Sequence, residues 1–335
     1  GGLPSFIDLV TARTEFYEHP TALPMVAESS IKQDLHRRDF TINTLAIRLD
    51  PQRWGELLDF YGGRSDLEEG VIRVLHSLSF VDDPTRILRA ARFEARLGFE
   101  IEDRSEALIA EALPLLDRIT GERIRHEFDL IFQEAEPEAV LDRLEAFGAL
   151  RQLHPALRSD PWLRERFERL RETFDPTVWQ MDLAVDEVFL HWALFLYRLD
   201  TKAFTRVAMR LKLSRSIVEV HADQEALAGV LAQLPARDRP SEIVGLLDAY
   251  NLRSLAVAWL ASENEASRDI MLQYVKTWRD VEPILDGNDL KAMGFRPGPV
   301  FRDILSALRE ARLDGDVETR ADEVALVEAG FTPET

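Results

Sequence analysis

Two charged residues in the first third of the chain have the spacing of a nucleobase-binding pair. Asp83 precedes Pro84, and Arg86 follows three residues after Asp83. Asp before Pro is typical of a helix start, from which both side chains can point the same way. The exocyclic amine of adenine or cytosine can donate to Asp83 while Arg86 donates to the neighbouring ring acceptor; guanine and uracil would leave groups unpaired. The alternative interpretation is a capping salt bridge on a core helix.

The densest polar cluster, residues 34–43, contains two adjacent arginines, Arg37 and Arg38, followed by Asp39 and, four residues later, Asn43. If a helix begins here, Asp39 is a plausible N-cap and shares a face with Asn43. Arginine suits the clamping of phosphate oxygens. The cluster therefore predicts a triphosphate and ribose site, with a solvated, capped helix start as the alternative.

A double-glycine turn follows the short apolar segment 57–60. Gly62 and Gly63 can supply a left-handed backbone or a hinge, and Asp66 follows three residues later. An ordinary turn is the alternative interpretation.

Another helix start lies at residues 118–127, with Thr120 as the expected cap. Glu122 and Arg123 follow it and could brace the preceding helix. The favoured interpretation of this segment is structural support.

The elements that must position these residues are few strands and many helices. Residues 6–10 and 57–60 read as strands, and residues 42–49 as apolar helix or strand. After about residue 65, helical periodicity dominates, with helices expected over 84–97, 105–113, 121–133 and 137–147 and onward to residue 311. The expected fold is mostly α with a small β-containing N-terminal remnant. Three short strands make a poor sheet, so we expect the chain to be the C-terminal part of a larger protein.

Composition excludes several classes. The chain has 335 residues, 46% hydrophobic and 30% charged, which is ordinary for a globular protein and too apolar for a disordered one. It has no cysteine, so disulfides, thiolate metal sites and cysteine nucleophiles are excluded, and a cytoplasmic location without membrane association is expected. The formal net charge of −19 argues against nucleic-acid binding by bulk charge, so any such contact must use local arginine clusters, metal ions or shape.

Taken together, the ordered motifs over residues 5–155 resemble the class II tRNA nucleotidyltransferase and poly(A) polymerase family. Residues 37–43 are similar to its ribose-recognising motif, residues 59–67 to its hinge, and residues 82–86 to its amino-acid template, with Asp82 where Glu is usual. Glu122, Arg123 and Glu127 are similar to its helix-bracing motif. Residues 286–290 and 294–299 resemble its tail, and residues 73–81 resemble long bacterial members with phosphoesterase-like and CBS domains upstream.

The resemblance implies attack of a tRNA 3′-OH on the α-phosphorus of ATP or CTP, with release of pyrophosphate and two Mg²⁺ ions in the intact enzyme. The implied roles are ribose and triphosphate binding for Arg37, Arg38, Asp39 and Asn43, base selection for Asp83 and Arg86, support by Asp82, Arg89, Glu122 and Arg123, and a hinge at Gly62, Gly63 and Asp66.

The metal-binding half of such a site is incomplete in this sequence. The family's Gly-Gly…Arg-Asp turn and Asp-x-Asp pair do not occur before Asp8, which sits where a third catalytic and metal-binding acid would lie. One Asp does not hold two metal ions. We therefore expect this fragment to be inactive by itself.

The resemblance also implies four domains: a head (palm) remnant over 1–64, a nucleotide-selecting neck over 65–155, a body over 156–255 and a tRNA-binding tail over 256–335. Several products stay open, namely CCA, CC or A addition to tRNA, and poly(A) addition to RNA 3′ ends. A non-catalytic RNA-binding module is a further alternative if the natural chain starts at Gly1.

Overall fold

The computed structural model describes residues 9–16 and 25–332. Two compact units are distinguished: the chain up to Phe167 together with Arg198–Ser214, and Glu168–Tyr197 together with the chain from Arg215 onward. The predicted four-domain division, with boundaries at residues 64, 155 and 255, does not coincide with these units and stays a prediction.

Short strands form three separate pairs in the first unit. β1 (Arg13–Phe16) pairs antiparallel with β2 (Met25–Glu28), and β3 (Ala46–Ile47) pairs antiparallel with β4 (Leu57–Leu58). β5 (Val71–Ile72) runs parallel to β6 (Glu100–Ile101). A parallel pair needs a crossover connection, and two helices between β5 and β6 provide it.

Helices make up most of the described chain. In chain order they are α1 (Ile31–His36), α2 (Gly63–Glu69), α3 (Ser79–Asp82), α4 (Thr85–Leu97), α5 (Asp103–Ala112), α6 (Gly121–Ile131), α7 (Pro137–Phe147), α8 (Ala149–Leu153), α9 (Pro161–Thr173), α10 (Leu183–Leu196), α11 (Thr201–Leu211), α12 (Arg215–Gln233), α13 (Pro240–Leu247), α14 (Leu252–Ala261), α15 (Glu265–Gln273), α16 (Gly287–Ala292), α17 (Pro299–Leu313) and α18 (Arg320–Gly330). Short 3₁₀ segments lie at Thr41–Thr44, Leu113–Arg118 and Leu234–Ala236, and a π-helical turn at Tyr274–Trp278. The mostly helical fold class is confirmed.

α4 is the helix around which the first unit packs. Its residues Ile87, Leu88, Ala90 and Ala91 are fully buried, and α4 packs on α6 and α7. It ends at Gly98, whose φ of +65° is readily adopted only by glycine. Because α4 begins directly after Asp83, the packing of this helix fixes where the predicted base-selecting residues lie.

α6 is held at its first turn by α11. A Cβ on Gly121 would lie 1.5 Å from the carbonyl oxygen of Arg210, so only glycine permits this approach. Arg210 in turn donates from Nη2 to the carbonyl oxygen of Leu116 at 2.9 Å. α11 thus determines the position of the α6 turn that carries Glu122 and Arg123.

The second unit has an all-helical core in the described residues. Phe174, Trp179 and Trp259 form an aromatic cluster, with ring centroids about 6 Å apart. A further core, toward the end of the chain, lies between α16, α17 and α18; its buried members are Leu285, Leu290, Phe295, Ile304, Leu308 and Val327. Fully buried Glu323 accepts from the backbone N–H groups of Ile284 and Leu285, at 2.9 and 2.8 Å, and so ties this core to the preceding segment.

No single helix among the described residues is long and apolar enough to cross a membrane. One bent pair, Pro240–Leu247 with Leu252–Ala261, meets the length and composition criteria only when its two helices are taken together, with a 107° bend between them.

The structure corrects several local predictions. Of the predicted strand at residues 6–10, residues 6–8 lie outside the described residues, and Leu9 and Val10 are exposed and outside any strand. Residues 42–49 divide between a 3₁₀ turn and β3. β1, β2, β5 and β6 had no counterpart in the sequence prediction, whereas α18 lies within the helical tail predicted over 256–335.

Candidate nucleotide-binding site

The predicted nucleotide-binding residues line one cleft of about 460 Å³ in the first unit. The lining residues are Arg37, Arg38, Asp39, Asn43, Asp83, Arg86, Arg89 and Phe93. The segment after α1 and the first three turns of α4 therefore face each other, although they lie about 45 residues apart in the chain.

Asp39 is the most tightly held side chain of the cleft. Its Oδ1 accepts from the backbone N–H of Phe40 and from Nδ2 of Asn43, both at 2.9 Å. Its Oδ2 accepts from Nε and Nη2 of Arg89, at 2.8 and 2.6 Å. Burial opposes the charge on Asp39, but Arg89 and the other hydrogen bonds outweigh burial, so the pKa of Asp39 lies below its ordinary value.

Asp39 is not the helix N-cap that the sequence predicted. The 3₁₀ turn Thr41–Thr44 has Phe40 at its N-cap position, and no side chain caps it. The carboxylate of Asp39 instead bonds to Asn43, on the same turn, and to Arg89 of α4. Asp39 and Asn43 do meet, as their spacing predicted, but as a hydrogen-bonded pair.

One carboxylate oxygen of Asp83 accepts hydrogen bonds within the protein, and the other is available to a ligand. Oδ1 accepts from the N–H and Oγ1 of Thr85, at 3.1 and 2.7 Å, and from Nη2 of Arg123 at 2.8 Å. Within the described part of the chain, Oδ2 accepts no hydrogen bond. Asp83 is not the N-cap that the sequence predicted, because Pro84 occupies the N-cap position of α4 and the helix begins at Thr85. One acceptor of Asp83 therefore stays available to a ligand.

Arg86 has two available donors. Nη1 donates to Oγ and the carbonyl oxygen of Ser79, at 2.6 and 3.4 Å, and Nη2 donates to the carbonyl oxygen of Arg37 at 2.8 Å. A guanidinium has five N–H donors, so Nε–H and one Nη2–H remain. Because Arg86 is 6% exposed, the cleft is the direction from which a ligand can reach it.

Arg37 and Arg38 lie against one acid, Asp34. Arg37 donates from Nε and Nη2 to Oδ1 of Asp34, at 3.1 and 2.9 Å, and Nη2 of Arg38 lies 3.6 Å from Oδ2. Both arginines also line the cleft, so this wall of the cleft favours an anionic ligand. The sequence analysis did not single out Asp34; its (i, i+3) and (i, i+4) spacing to the arginines was the available signal.

The double-glycine turn has a specific structural reason. Gly62 adopts φ +75°, and a Cβ on Gly63 would lie 2.2 Å from the carbonyl oxygen of Thr41. Asp66 accepts from Oγ1 of Thr41 at 2.5 Å and from Nε of Arg73 at 3.1 Å. These contacts press the start of α2 against the turn that carries Asn43. Whether the glycines act as a hinge stays a prediction.

The predicted supporting residues fall into two groups. Arg123 contacts Asp83 directly, and Glu122 pairs with Lys212, the residue that follows α11. Thr120 occupies the N-cap position of α6, as the sequence predicted, but its side chain makes no capping hydrogen bond. Glu127 is buried, which raises the pKa of its carboxyl above its ordinary value; Nη1 of Arg89 lies 3.6 Å from its Oε1, and its Oε2 has no partner among the described residues.

The structure also shows a stacked histidine pair, His36 and His76, that the sequence did not predict. The rings of His36 and His76 are 5.3 Å apart and nearly parallel. Nε2 of His76 lies 3.9 Å from Oδ2 of Asp82, the residue predicted to support the template, and Tyr61 tilts against His36. His36, Tyr61 and His76 lie inside segments that the sequence singled out, residues 34–43, 59–67 and 73–81, but no local pattern predicts that their rings meet.

No cluster of three or more His, Asp or Glu side chains in the described residues is placed to hold a metal ion. Asp8, predicted as a metal-binding acid, lies outside the described residues.

Family models match two parts of the chain. Residues 3–73 match the poly A polymerase head domain, and residues 98–160 match the probable RNA and SrmB- binding site of polymerase A. The A-adding tRNA nucleotidyltransferase of Geobacter sulfurreducens is 35% identical over 333 residues, covering 96% of this chain and 38% of that protein. The A-adding tRNA nucleotidyltransferase of Halalkalibacterium halodurans is 31% identical, covering 97% of this chain and 74% of that protein.

Solved structures give the same answer for the fold. A CCA-adding enzyme in an apo form has a TM-score of 0.83 at 34% identity, covering 97% of this chain and 77% of that one. The Thermotoga maritima CCA-adding enzyme complexed with tRNA has a TM-score of 0.76 at 33% identity, covering 90% and 74%. A complex of a CCA-adding enzyme with ATP has a TM-score of 0.75 at 33% identity, covering 90% and 73%. The chain belongs to the tRNA nucleotidyltransferase and poly(A) polymerase family.

Proposed function

We propose that the protein transfers AMP from ATP, and CMP from CTP, to the 3′ end of tRNA. The observation that carries this proposal is the single cleft in which the Asp83–Arg86 pair lies opposite Arg37, Arg38, Asp39 and Asn43. The names of the A-adding and CCA-adding relatives support it, as do the solved complexes with tRNA and ATP. The chain spans 38% of the length of the Geobacter sulfurreducens relative, so these roles concern the protein of which it is part.

Base selection follows from the two available groups. Oδ2 of Asp83 accepts one hydrogen bond from the exocyclic amine of adenine or cytosine, and a remaining N–H of Arg86 donates to the adjacent ring acceptor. Guanine and uracil present a carbonyl oxygen to Asp83 and leave both partners unpaired in a half-buried site. No nucleic-acid template is needed for this choice.

The triphosphate is assigned to Arg37 and Arg38, and the ribose to Asp39 and Asn43. The protein chiefly holds the reactants in place, which by itself lowers the barrier to transfer. Two Mg²⁺ ions would supply the activation of the 3′-OH and the stabilisation of the leaving pyrophosphate. The described residues contain no acidic cluster that fits two ions, so the roles assigned here are those of the protein side chains alone.

The test is nucleotide incorporation by the full-length protein. tRNA transcripts ending before CCA, after C and after CC are incubated with Mg²⁺ and one labelled nucleoside triphosphate at a time. Incorporation of AMP only on the CC end indicates an A-adding enzyme, and stepwise incorporation of CMP and then AMP indicates a CCA-adding one. Long A tails on an unstructured RNA would instead indicate poly(A) addition. Binding of tRNA without incorporation from any triphosphate would refute the proposal.

A further inference from the structure

The guanidinium of Arg86 is held by two segments that are far apart in the chain. Its Nη1 donates to Oγ of Ser79 at 2.6 Å, and its Nη2 donates to the carbonyl oxygen of Arg37 at 2.8 Å. Ser79 is fully buried and begins α3, whereas Arg37 directly follows α1. The direction of the remaining N–H groups of Arg86 therefore depends on how these two segments lie against each other.

A pair of stacked histidine rings joins the same two segments. His36 directly precedes Arg37, and the carbonyl oxygen of His76 accepts from the backbone N–H of Ser79 at 3.1 Å. The two rings lie 5.3 Å apart, with an angle of 12° between their planes. Each segment that holds Arg86 thus carries one ring of the stack. A shift of one ring relative to the other therefore moves the acceptors of Arg86 apart.

Three groups from neighbouring elements face the stacked rings. The ring of Tyr61, in the turn before α2, lies 5.6 Å from that of His36. Oδ2 of Asp82, at the end of α3, lies 3.9 Å from Nε2 of His76, and Arg86 on α4 adds a positive charge. Burial, helped by the charges of His36 and Arg86, lowers the pKa of His76 below its ordinary value in spite of Asp82. The ring of His76 is therefore neutral above neutral pH.

We propose that the His36–His76 stack is a positioning element for Arg86, and that a proton on His76 weakens base selection by separating the two rings. The proposal rests on the proposed function, which assigns base selection to Asp83 and Arg86. Protonation places a second cation beside Arg86 and a charge in a half-buried position. Rotation of the imidazolium toward Asp82 and solvent relieves both costs and breaks the contact with His36.

The two histidines act on the nucleotide through Arg86. Among the described residues that line the nucleotide cleft, Arg86 is present and neither His36 nor His76 is. A change at either ring thus reaches the base only by turning the guanidinium. Loss of the stack should therefore reduce the preference for one base over another more than it reduces binding of the triphosphate.

The test measures binding of ATP and GTP to the full-length protein by calorimetry, at pH values from about 5.5 to 8. The ratio of the two dissociation constants cancels protonation of the triphosphate, which both nucleotides share. In the unchanged protein, the preference for ATP should fall about tenfold from pH 7.5 to pH 5.5. His76→Ala should lower it about tenfold at every pH. His76→Phe keeps a ring in the stack and takes up no proton, so its preference should match that of the unchanged protein at pH 7.5 and stay constant down to pH 5.5.

Two comparisons separate a positioning role from a merely structural one. In Arg86→Ala, the further substitution His76→Ala should not lower the preference again, because the histidine acts through the missing guanidinium. His154→Ala is the matched control, since it removes a histidine of the same unit whose Nδ1 accepts from the backbone N–H of Ala156 at 3.2 Å. It should keep both the preference and its pH dependence. Thermal melting at each pH shows which variants are folded.

An unchanged preference in folded His76→Ala, or a fall toward pH 5.5 that persists in His76→Phe, overturns the proposal. An equal further loss when His76→Ala is added to Arg86→Ala does the same. If His76→Ala does not fold, the pH profiles of the unchanged protein and of His76→Phe decide. Failure of the unchanged protein to bind either nucleotide overturns the proposed function as well, and is recognisable because no ratio can then be formed.

Discussion

Arg123 on α6 donates from Nη2 to Oδ1 of Asp83 at 2.8 Å, so the acid proposed to select the base is held from a neighbouring helix. Together with Thr85, this contact commits one oxygen of Asp83 and directs the other toward a ligand. The orientation of Asp83 therefore depends on where α6 begins.

Loss of the guanidinium at position 123 should loosen base choice. In Arg123→Ala, Asp83 keeps only Thr85 as a partner and can rotate, so we expect the preference for ATP over GTP, measured as a ratio of kcat/KM values, to fall about tenfold. Arg123→Lys should restore part of it. The matched control is Arg64→Ala, which removes an exposed arginine that pairs with Glu68 on α2. An unchanged ATP-to-GTP ratio in Arg123→Ala would show that the hydrogen bond from Arg123 does not orient Asp83.

Asp83→Asn should change which bases are accepted. The bonds from Thr85 and Arg123 require an oxygen at the Oδ1 position, so the new NH₂ takes the Oδ2 position and turns an acceptor into a donor. We expect use of ATP and CTP to fall at least tenfold and use of GTP or UTP to rise above that of the unchanged protein. Single-nucleotide incorporation assays measure both changes.

Asp83→Ala and Arg86→Ala each remove one of the two base-selecting side chains without replacing it. We expect these variants to lose base selectivity or activity while tRNA binding survives. Unchanged ATP/CTP selectivity in both variants would contradict the assignment.

Glu127→Gln should stabilise the protein at neutral pH. Burial raises the pKa of Glu127, so the folded state binds its proton more tightly than the unfolded state, and the stability contributed by this group falls as pH rises from about 4.5 through the raised pKa. Glutamine is neutral at every pH, so it avoids the cost of burying the Glu127 charge. We expect the free energy of unfolding to increase by about 1 kcal/mol at pH 8 and to be unchanged near pH 4. Urea unfolding at a series of pH values measures it. Glu122→Gln is the control on the same helix: the hydrogen bond from Lys212 holds the pKa of Glu122 below its ordinary value, so this substitution should give no gain in stability at pH 8. Equal stability of Glu127→Gln and the unchanged protein at pH 8 would be the contrary result.

Gly63→Ala should damage both stability and nucleotide binding. Its Cβ would lie 2.2 Å from the carbonyl oxygen of Thr41, so α2 or the turn carrying Asn43 must move. We expect a loss of about 2–3 kcal/mol in the free energy of unfolding and a higher KM for ATP. Gly62→Ala is the control, because this neighbour has φ +75° and open space at its Cβ, so it should cost only the left-handed strain of about 1 kcal/mol and leave KM unchanged. Equal effects of the two substitutions would argue against the close contact.

The extent to which sequence predicted the structure depended on how local each feature is. α4 was found within one residue because its start signal and apolar periodicity lie within fourteen residues. β5 and β6 are two residues long and pair across 27 intervening residues, which no local pattern records. β1 and β2 were missed for a related reason, since four-residue strands carry little alternation.

The site shows the same division. The family resemblance implied that Asp39, Asn43, Asp83 and Arg86 belong to one site, and the structure places them in one cleft. The hydrogen-bond partners of these residues could not be predicted. Arg89 bonds to Asp39, which lies 50 residues away in the chain, and three N–H groups of Arg86 donate to Ser79 and to the backbone of Arg37. Such pairings are tertiary, and they decide which atoms stay available to a ligand.

The close approach of Gly121 to Arg210 has a consequence for how this protein can be divided. The segment that fixes the first turn of α6, and with it Arg123, comes from residues 201–211, which follow the whole of α10 in the chain. A fragment ending at residue 167 would contain every residue of the cleft. It would lack α11, which positions the helix turn that carries Arg123. Under the proposed function, the smallest portion of the chain that retains base selection is therefore discontinuous, and limited proteolysis between α9 and α11 should weaken base selection more than nucleotide binding.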